Sequence, residues 1–173
     1  MVGGEFVIGA VGLCMALALL LAAWWLRRRT GLPWQRVAWN DAALAANERP
    51  LIAREHGLVG KPDYILEVRG CWVPVEVKPT RRAAAPYASD LMQLAAYCVL
   101  VESTTGQRPP YGLLRYAEHT FKLPFTQATR QEVLGLVAAI RADLDADDVA
   151  RSHQQRMRCR GCGFAQSCTE ALA

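Results

Sequence analysis

From Phe6 to Leu26 the chain runs for 21 residues in which only Gly9 and Gly12 fall outside the hydrophobic set. A run like this has few ways to fold. As a helix at 1.5 Å per residue it is roughly 31 Å long, a match for a bilayer core of ~30 Å. Trp24 and Trp25 close it, and Arg27, Arg28 and Arg29 follow at once. Aromatic rings at the headgroup level with cations just beyond are the flank of a span. A cleaved signal peptide carries its bases ahead of the apolar run, where this chain reads Met-Val-Gly-Gly-Glu. The expectation is a single-pass transmembrane helix, with the N-terminus outside and the rest of the chain in the cytoplasm. A buried core helix is the alternative.

The remainder has ordinary globular composition, although the whole chain of 173 residues is 52% hydrophobic. That excludes a disordered or collagen-like chain and a multi-span membrane protein. It leaves room for one core and not for two. The net charge is +4, with bases grouped at Arg27–Arg29, Arg81–Arg82 and Arg151–Arg160 and an acidic stretch at Asp143–Asp148. A polyanionic partner is compatible with this balance and not required by it. Six cysteines in a cytoplasm-facing chain argue against a disulfide framework.

Past the apolar run, residues 30–56 read as a connector holding Pro33, Pro50 and a short Ala-rich helix around Asp41–Ala46. Asp63–Arg69 and Cys71–Lys78 read as strands joined by a two-residue turn at Arg69-Gly70. A loop over Arg81–Tyr87 leads to a helix over Asp90–Glu102, with Leu91, Leu94, Ala95 and Cys98 at helical spacing. Tyr111–Tyr116 and Thr120–Phe125 read as two more strands, and Thr129–Leu144 as an amphipathic helix. The domain division is a membrane anchor with a basic flank over 1–29, the connector over 30–56, a catalytic core over 57–150 and a cysteine-bearing tail over 151–173. The fold class is α/β, a mixed sheet flanked by helices.

The most informative stretch is Gly60-Lys61-Pro62-Asp63, thirteen residues before Glu76-Val77-Lys78. With the turn at Arg69-Gly70, Val68 faces Cys71 and the register puts Asp63 opposite Glu76. Directly opposed Cβ atoms lie ~4.5–5.5 Å apart, so two carboxylates meet on one face. Such a pair calls for a cation, and Mg²⁺ suits one or two carboxylates with water and phosphate oxygens. Alternation sets Lys78 beside Glu76 and turns Val75 and Val77 into the core. A lysine beside a phosphate and its attacking water neutralises developing charge. Gln93 and Tyr97, at i and i+4 of the following helix, share one face. They offer hydrogen bonds to phosphate and a ring on which a base can stack.

Gly-x-Pro-Asp, Glu-x-Lys and Gln-x-x-x-Tyr, in this order and spacing, resemble the RecB-like branch of the PD-(D/E)xK nucleases. Within it, the chain is similar to the CRISPR-associated exonuclease, the fourth of the numbered Cas families, from about Leu51 to Cys168. The resemblance implies a restriction-endonuclease-like fold and Mg²⁺- or Mn²⁺-dependent cleavage of DNA, typically from single-stranded ends. It implies Asp63 and Glu76 as metal ligands with the Val77 carbonyl beside them, Lys78 as catalytic, and Gln93 and Tyr97 as supporting site residues. Arg81 and Arg82 are candidate DNA contacts. CRISPR integrase proteins are candidate partners, and processing of spacer precursors is a candidate role. The upstream acidic or histidine motif has no clear match, with Glu55 and His56 nearest. A non-catalytic module that docks DNA ends or an integrase is the second reading. A repair or defence nuclease unrelated to CRISPR is the third.

Cys159, Cys162 and Cys168 lie within ten residues, with Gly161 and Gly163 letting the backbone wrap an ion. Thiolates at this spacing serve zinc or an iron–sulfur cluster. The resemblance implies a 4Fe-4S cluster closed by a fourth, upstream cysteine. No cysteine stands between Arg27 and Asp63; His153 is a possible substitute, and Cys71 and Cys98 read as structural.

Overall fold

The turn at Arg69-Gly70 organises the sheet. Arg69 has φ 52° and Gly70 φ 77°, the two positive values that a tight hairpin turn of matching twist requires. The computed structural model describes residues 3–30, 36–40 and 50–172. The Ala-rich helix expected around Asp41–Ala46 lies outside them. In chain order the elements are helix α1 (Gly3–Thr30), strand β1 (Arg36–Asn40), strand β2 (Leu51–Ala53), a 3₁₀ turn at Arg54–His56, strand β3 (Leu58–Gly60), strands β4 (Tyr64–Val68) and β5 (Cys71–Lys78), helix α2 (Ala88–Thr105), strands β6 (Tyr111–Tyr116) and β7 (Thr120–Pro124), and helices α3 (Gln127–Asp145) and α4 (Arg156–Arg160).

Strands β4, β5, β6 and β7 lie side by side, and β1 joins the outer edge of β4 to make a mixed sheet in the order β1-β4-β5-β6-β7. The β5–β6 pair is parallel and the others are antiparallel. Parallel neighbours need a crossover, and α2 supplies it. Strands β2 and β3 form a separate two-stranded ribbon. The expected β-β-α-β-β-α order is present, with β1 and β2 added inside the stretch expected to be a connector and β3 just after it.

Alternation sorts β5 into two faces. Val73 and Val75, both fully buried, pack with Leu66 and Leu113 on one face. On the other, Leu94 of α2 packs against Leu114 and Tyr116 of β6. Two glycines let α2 come this close. A Cβ on Gly112 would lie 2.7 Å from Leu94 Cγ, and one on Gly60 would lie 2.9 Å from Tyr97 Cε1. Both distances are below ordinary contact, so these glycines set the height of α2 over the sheet.

The chain divides into two units, Met1–Leu134 and Gly135–Ala173. The first holds the sheet, the ribbon and α2. In the second, Leu144, Met157 and Phe164 are all more than 70% exposed, and Cys159 is buried.

The membrane anchor is the expectation that is overturned. Helix α1 carries the apolar run. Among the described residues no helix is long and apolar enough to cross a membrane. The single-pass placement, with the N-terminus outside and a cytoplasmic nuclease domain, is withdrawn with it. Along that stretch the large apolar side chains stand exposed, as at Leu20 and Trp25.

Candidate active site

The β4–β5 ladder pairs Tyr64 with Val75 and Val68 with Cys71, the register expected from a two-residue turn. Continued by one residue, it sets Asp63 opposite Glu76. Asp63 lies just before β4 and leaves the ladder there. Its Oδ2 accepts a hydrogen bond from the Val77 backbone N–H at 2.6 Å, so the carboxylate is tied to β5 itself. Charge-assisted bonds of this kind are short and strong.

Glu76 is 4% exposed. Its Oε1 receives the Lys78 ammonium at 2.6 Å and the Gln93 amide at 3.0 Å. The same Gln93 nitrogen donates its other hydrogen to the Tyr97 hydroxyl at 2.8 Å. Helical spacing stacks Gln93 and Tyr97 on the face of α2 that looks at β5. Among the described residues no buried side-chain nitrogen or oxygen lacks a partner, as buried polar groups require.

The electrostatics follow from this enclosure. Burial raises the Glu76 carboxyl above the usual range; the Asp63 charge adds to the rise, and Lys78 and Gln93 pull against it. The hydrogen bond to Glu76 holds the Lys78 ammonium above its ordinary value, against partial burial. Burial pushes the Tyr97 phenol up as well. A buried carboxyl disfavoured by a second carboxylate is a place where further positive charge is welcome.

Two carboxylates and a backbone carbonyl are hard oxygen donors. Mg²⁺ and Mn²⁺ take such sets while keeping water and phosphate oxygens as their remaining ligands. Asp63, Glu76 and the Val77 carbonyl therefore fit such an ion.

The model of the PD-(D/E)XK nuclease superfamily matches residues 12–169. The chain belongs to that superfamily. The superfamily is one of nucleases, whose usual metal is Mg²⁺ or Mn²⁺. No curated protein matches the chain. A crystal structure of SSO0001 is similar at 22% identity and a TM-score of 0.41, over 72% of this chain and 58% of that one. The chain thus spans under two thirds of the length of that relative.

The other expected residues fall elsewhere. Arg81 pairs with buried Asp90 at 3.1 Å and lies over the Tyr87 ring at 4.8 Å. Arg82 meets Glu118 at 3.0 Å, and both are exposed. Glu55 and His56 form the turn between β2 and β3. Glu55 is held below the usual carboxylate range, first by a hydrogen bond to Ser103, and His56 Nε2 lies 3.4 Å from Arg130 Nη2. Arg130 in turn binds Glu102 at 2.7 Å. Ser103 and Glu102 stand at the C-terminal end of α2, past Tyr97, and Arg130 stands on α3.

Among the described residues no three His, Cys, Asp or Glu side chains come together as a metal-holding group. Cys159 is buried in α4, where its sulfur accepts the Leu172 N–H at 3.4 Å, while Cys162 and Cys168 are exposed. His153 Nδ1 accepts from the Gln155 N–H at 3.2 Å. The tail residues do not fit a 4Fe-4S cluster or a zinc ion as they stand. Cys98 is buried and Cys71 half-buried.

Asp90 and Tyr116 form a buried pair that no motif in the sequence marks. Tyr116 donates to Asp90 Oδ2 at 2.6 Å and accepts the Tyr87 N–H at 3.0 Å. An acid in the first turn of a helix reads as a favourable charge at the N-terminus, and nothing local tells that this one is buried.

Proposed function

We propose that the chain hydrolyses phosphodiester bonds of DNA at Asp63, Glu76 and Lys78, working from free, unpaired ends as an exonuclease. The observation that carries this is the meeting of two carboxylates across the hairpin, with a lysine on the inner one. When bound, a divalent ion supplies positive charge to a phosphate oxygen and to the attacking water. Asp63 and Glu76 would hold that ion, with the Val77 carbonyl beside them. Lys78 neutralises charge that develops on the phosphate, and its ion pair with Glu76 keeps it aimed before substrate arrives. Gln93 fixes Glu76 from behind and holds the Tyr97 hydroxyl, so both orient the inner carboxylate. The site-bearing elements β4, β5 and α2 lie within the core assigned to residues 57–150.

The RecB-like motif set supports the CRISPR-associated branch as the biological setting, with processing of spacer precursors beside an integrase. The cysteine tail forms no part of this proposal, because its thiols are not gathered. The test is Mg²⁺- or Mn²⁺-dependent degradation of end-labelled DNA by purified protein. Asp63→Ala and Lys78→Ala should each abolish it; undiminished degradation by both variants overturns the assignment.

A further inference from the structure

Nine residues join Lys78 to α2, and they end on Tyr87. That residue is 51% exposed, yet it is held from several sides. Its backbone N–H binds the Tyr116 hydroxyl at 3.0 Å, and Tyr116 donates to Asp90 at 2.6 Å. Asp90 pairs with Arg81 at 3.1 Å, and the Arg81 guanidinium returns to lie 4.8 Å from the centre of the Tyr87 ring. The Tyr116 ring stands 6.3 Å away at 42°. The four residues close a circuit of contacts.

Two members of this circuit are buried, Tyr116 fully and Asp90 to 3% exposure. Burying a carboxylate is costly unless it is paired and hydrogen-bonded, and here its partners fix a ring that remains half in water. A core does not need that ring. Its location suggests what does. Tyr116 is the register partner of Lys78 in the parallel β5–β6 ladder, so the circuit begins one strand, about 4.8 Å, from the lysine. Arg81 donates its backbone N–H to the Lys78 carbonyl at 3.1 Å, which ties the loop directly to the end of β5. A fixed aromatic ring backed by a guanidinium, beside a phosphate-handling lysine, has the chemistry of a platform for a base. Every base offers a π-face, but a paired base in a duplex already has both faces covered by its neighbours.

We infer that Tyr87, backed by Arg81, is a stacking subsite for an unpaired nucleotide next to the scissile phosphodiester. It rests on the nuclease reading of Lys78 and narrows the substrate to single-stranded DNA or a frayed end.

The test is metal-free binding of the full chain, by fluorescence anisotropy in EDTA. Two probes of equal length are used, oligothymidine and the same backbone carrying abasic sites. Wild type should bind oligothymidine roughly tenfold more tightly than the abasic strand, the order expected for one stacked base. Tyr87→Ala should remove that preference and leave the abasic affinity unchanged, and Tyr87→Phe should retain it. Tyr87→Leu takes the place of the alanine variant if that variant does not fold. Equal binding of both probes by wild type, or an equal loss on both in the variant, overturns the inference. Cleavage is read separately: a chain that prefers bases but never cuts with Mg²⁺ overturns the nuclease reading and leaves the subsite standing.

Discussion

The hairpin-and-helix region around Glu76 and the C-terminal unit treat reactive side chains in opposite ways. Around Glu76 the carboxylates, lysine, amide and phenol are enclosed, and each has a partner at hydrogen-bond distance. In the C-terminal unit Cys162 and Cys168 stand in water, and large apolar residues such as Phe164 stand with them. The difference teaches where this chain's geometry comes from. A site laid on strand register and a packed helix is held by the same core that holds the fold. A segment that buries little has low local stability and little means of holding side chains in one arrangement.

The largest effect should come from disturbing the enclosed site without emptying it. Glu76→Gln keeps the shape but removes the charge that holds Lys78. Metal-dependent DNA cleavage should fall by roughly 10²–10³, the order seen when a preorganised charge is lost. The melting temperature should stay near that of wild type. A variant with full activity would break the first half of the comparison.

Packing provides the next test. Leu94 is fully buried between the sheet and α2, so Leu94→Ala should cost about 2–5 kcal/mol in urea unfolding. Phe164→Ala, at an exposed position, should stay within about 0.5 kcal/mol. Equal losses would show that the two regions share one kind of core after all.

Alkaline pH sharpens the contrast further. Burial raises the Cys98 thiol and the Tyr116 phenol, and the hydrogen bond to Asp90 raises the phenol further. A group whose folded value is raised contributes stability below its unfolded value and loses it as pH climbs past that point. Unfolding midpoints in urea should therefore decline from about pH 8 to about pH 10.5, spanning the ordinary cysteine and tyrosine range. A midpoint that rises over this interval contradicts the sign.

The smallest effect is one of rate. Under native conditions at neutral pH, a thiol reagent followed by mass spectrometry should modify Cys162 and Cys168 well before Cys98, since thiolate character and access set reactivity. Faster labelling of Cys98 would mean that α2 opens more readily than the tail.

What the sequence announced was what local chemistry controls. Arg69-Gly70 declared a turn, and the turn declared the register of β4 and β5. Regular apolar spacing declared α2 and set Gln93 and Tyr97 on one face. The ribbon of β2 and β3 went unseen because three-residue strands around Arg54-Glu55-His56 carry too short a pattern to separate from a loop. The circuit of Arg81, Tyr87, Asp90 and Tyr116 went unseen for a different reason. It joins residues up to 35 positions apart, and only the parallel crossover brings them together. Arg81 stands among the candidate DNA contacts, and its partner nine residues on, Asp90, has the look of an ordinary acid in the first turn of a helix. The apolar run was read by length and flank alone, and that reading did not survive.

The two-residue turn at Arg69-Gly70 has a consequence for how this protein can change over time. Side chains along a strand obey parity. An inserted or deleted residue in that turn would carry Glu76 and Lys78 to the face now held by Val75 and Val77, and take the candidate site apart in one step. Substitution is another matter: any pair able to take positive φ at both positions keeps the count. Selection on this loop therefore acts on its length more strictly than on its letters, and descendants of this chain should preserve the number of residues there long after the arginine itself has been replaced.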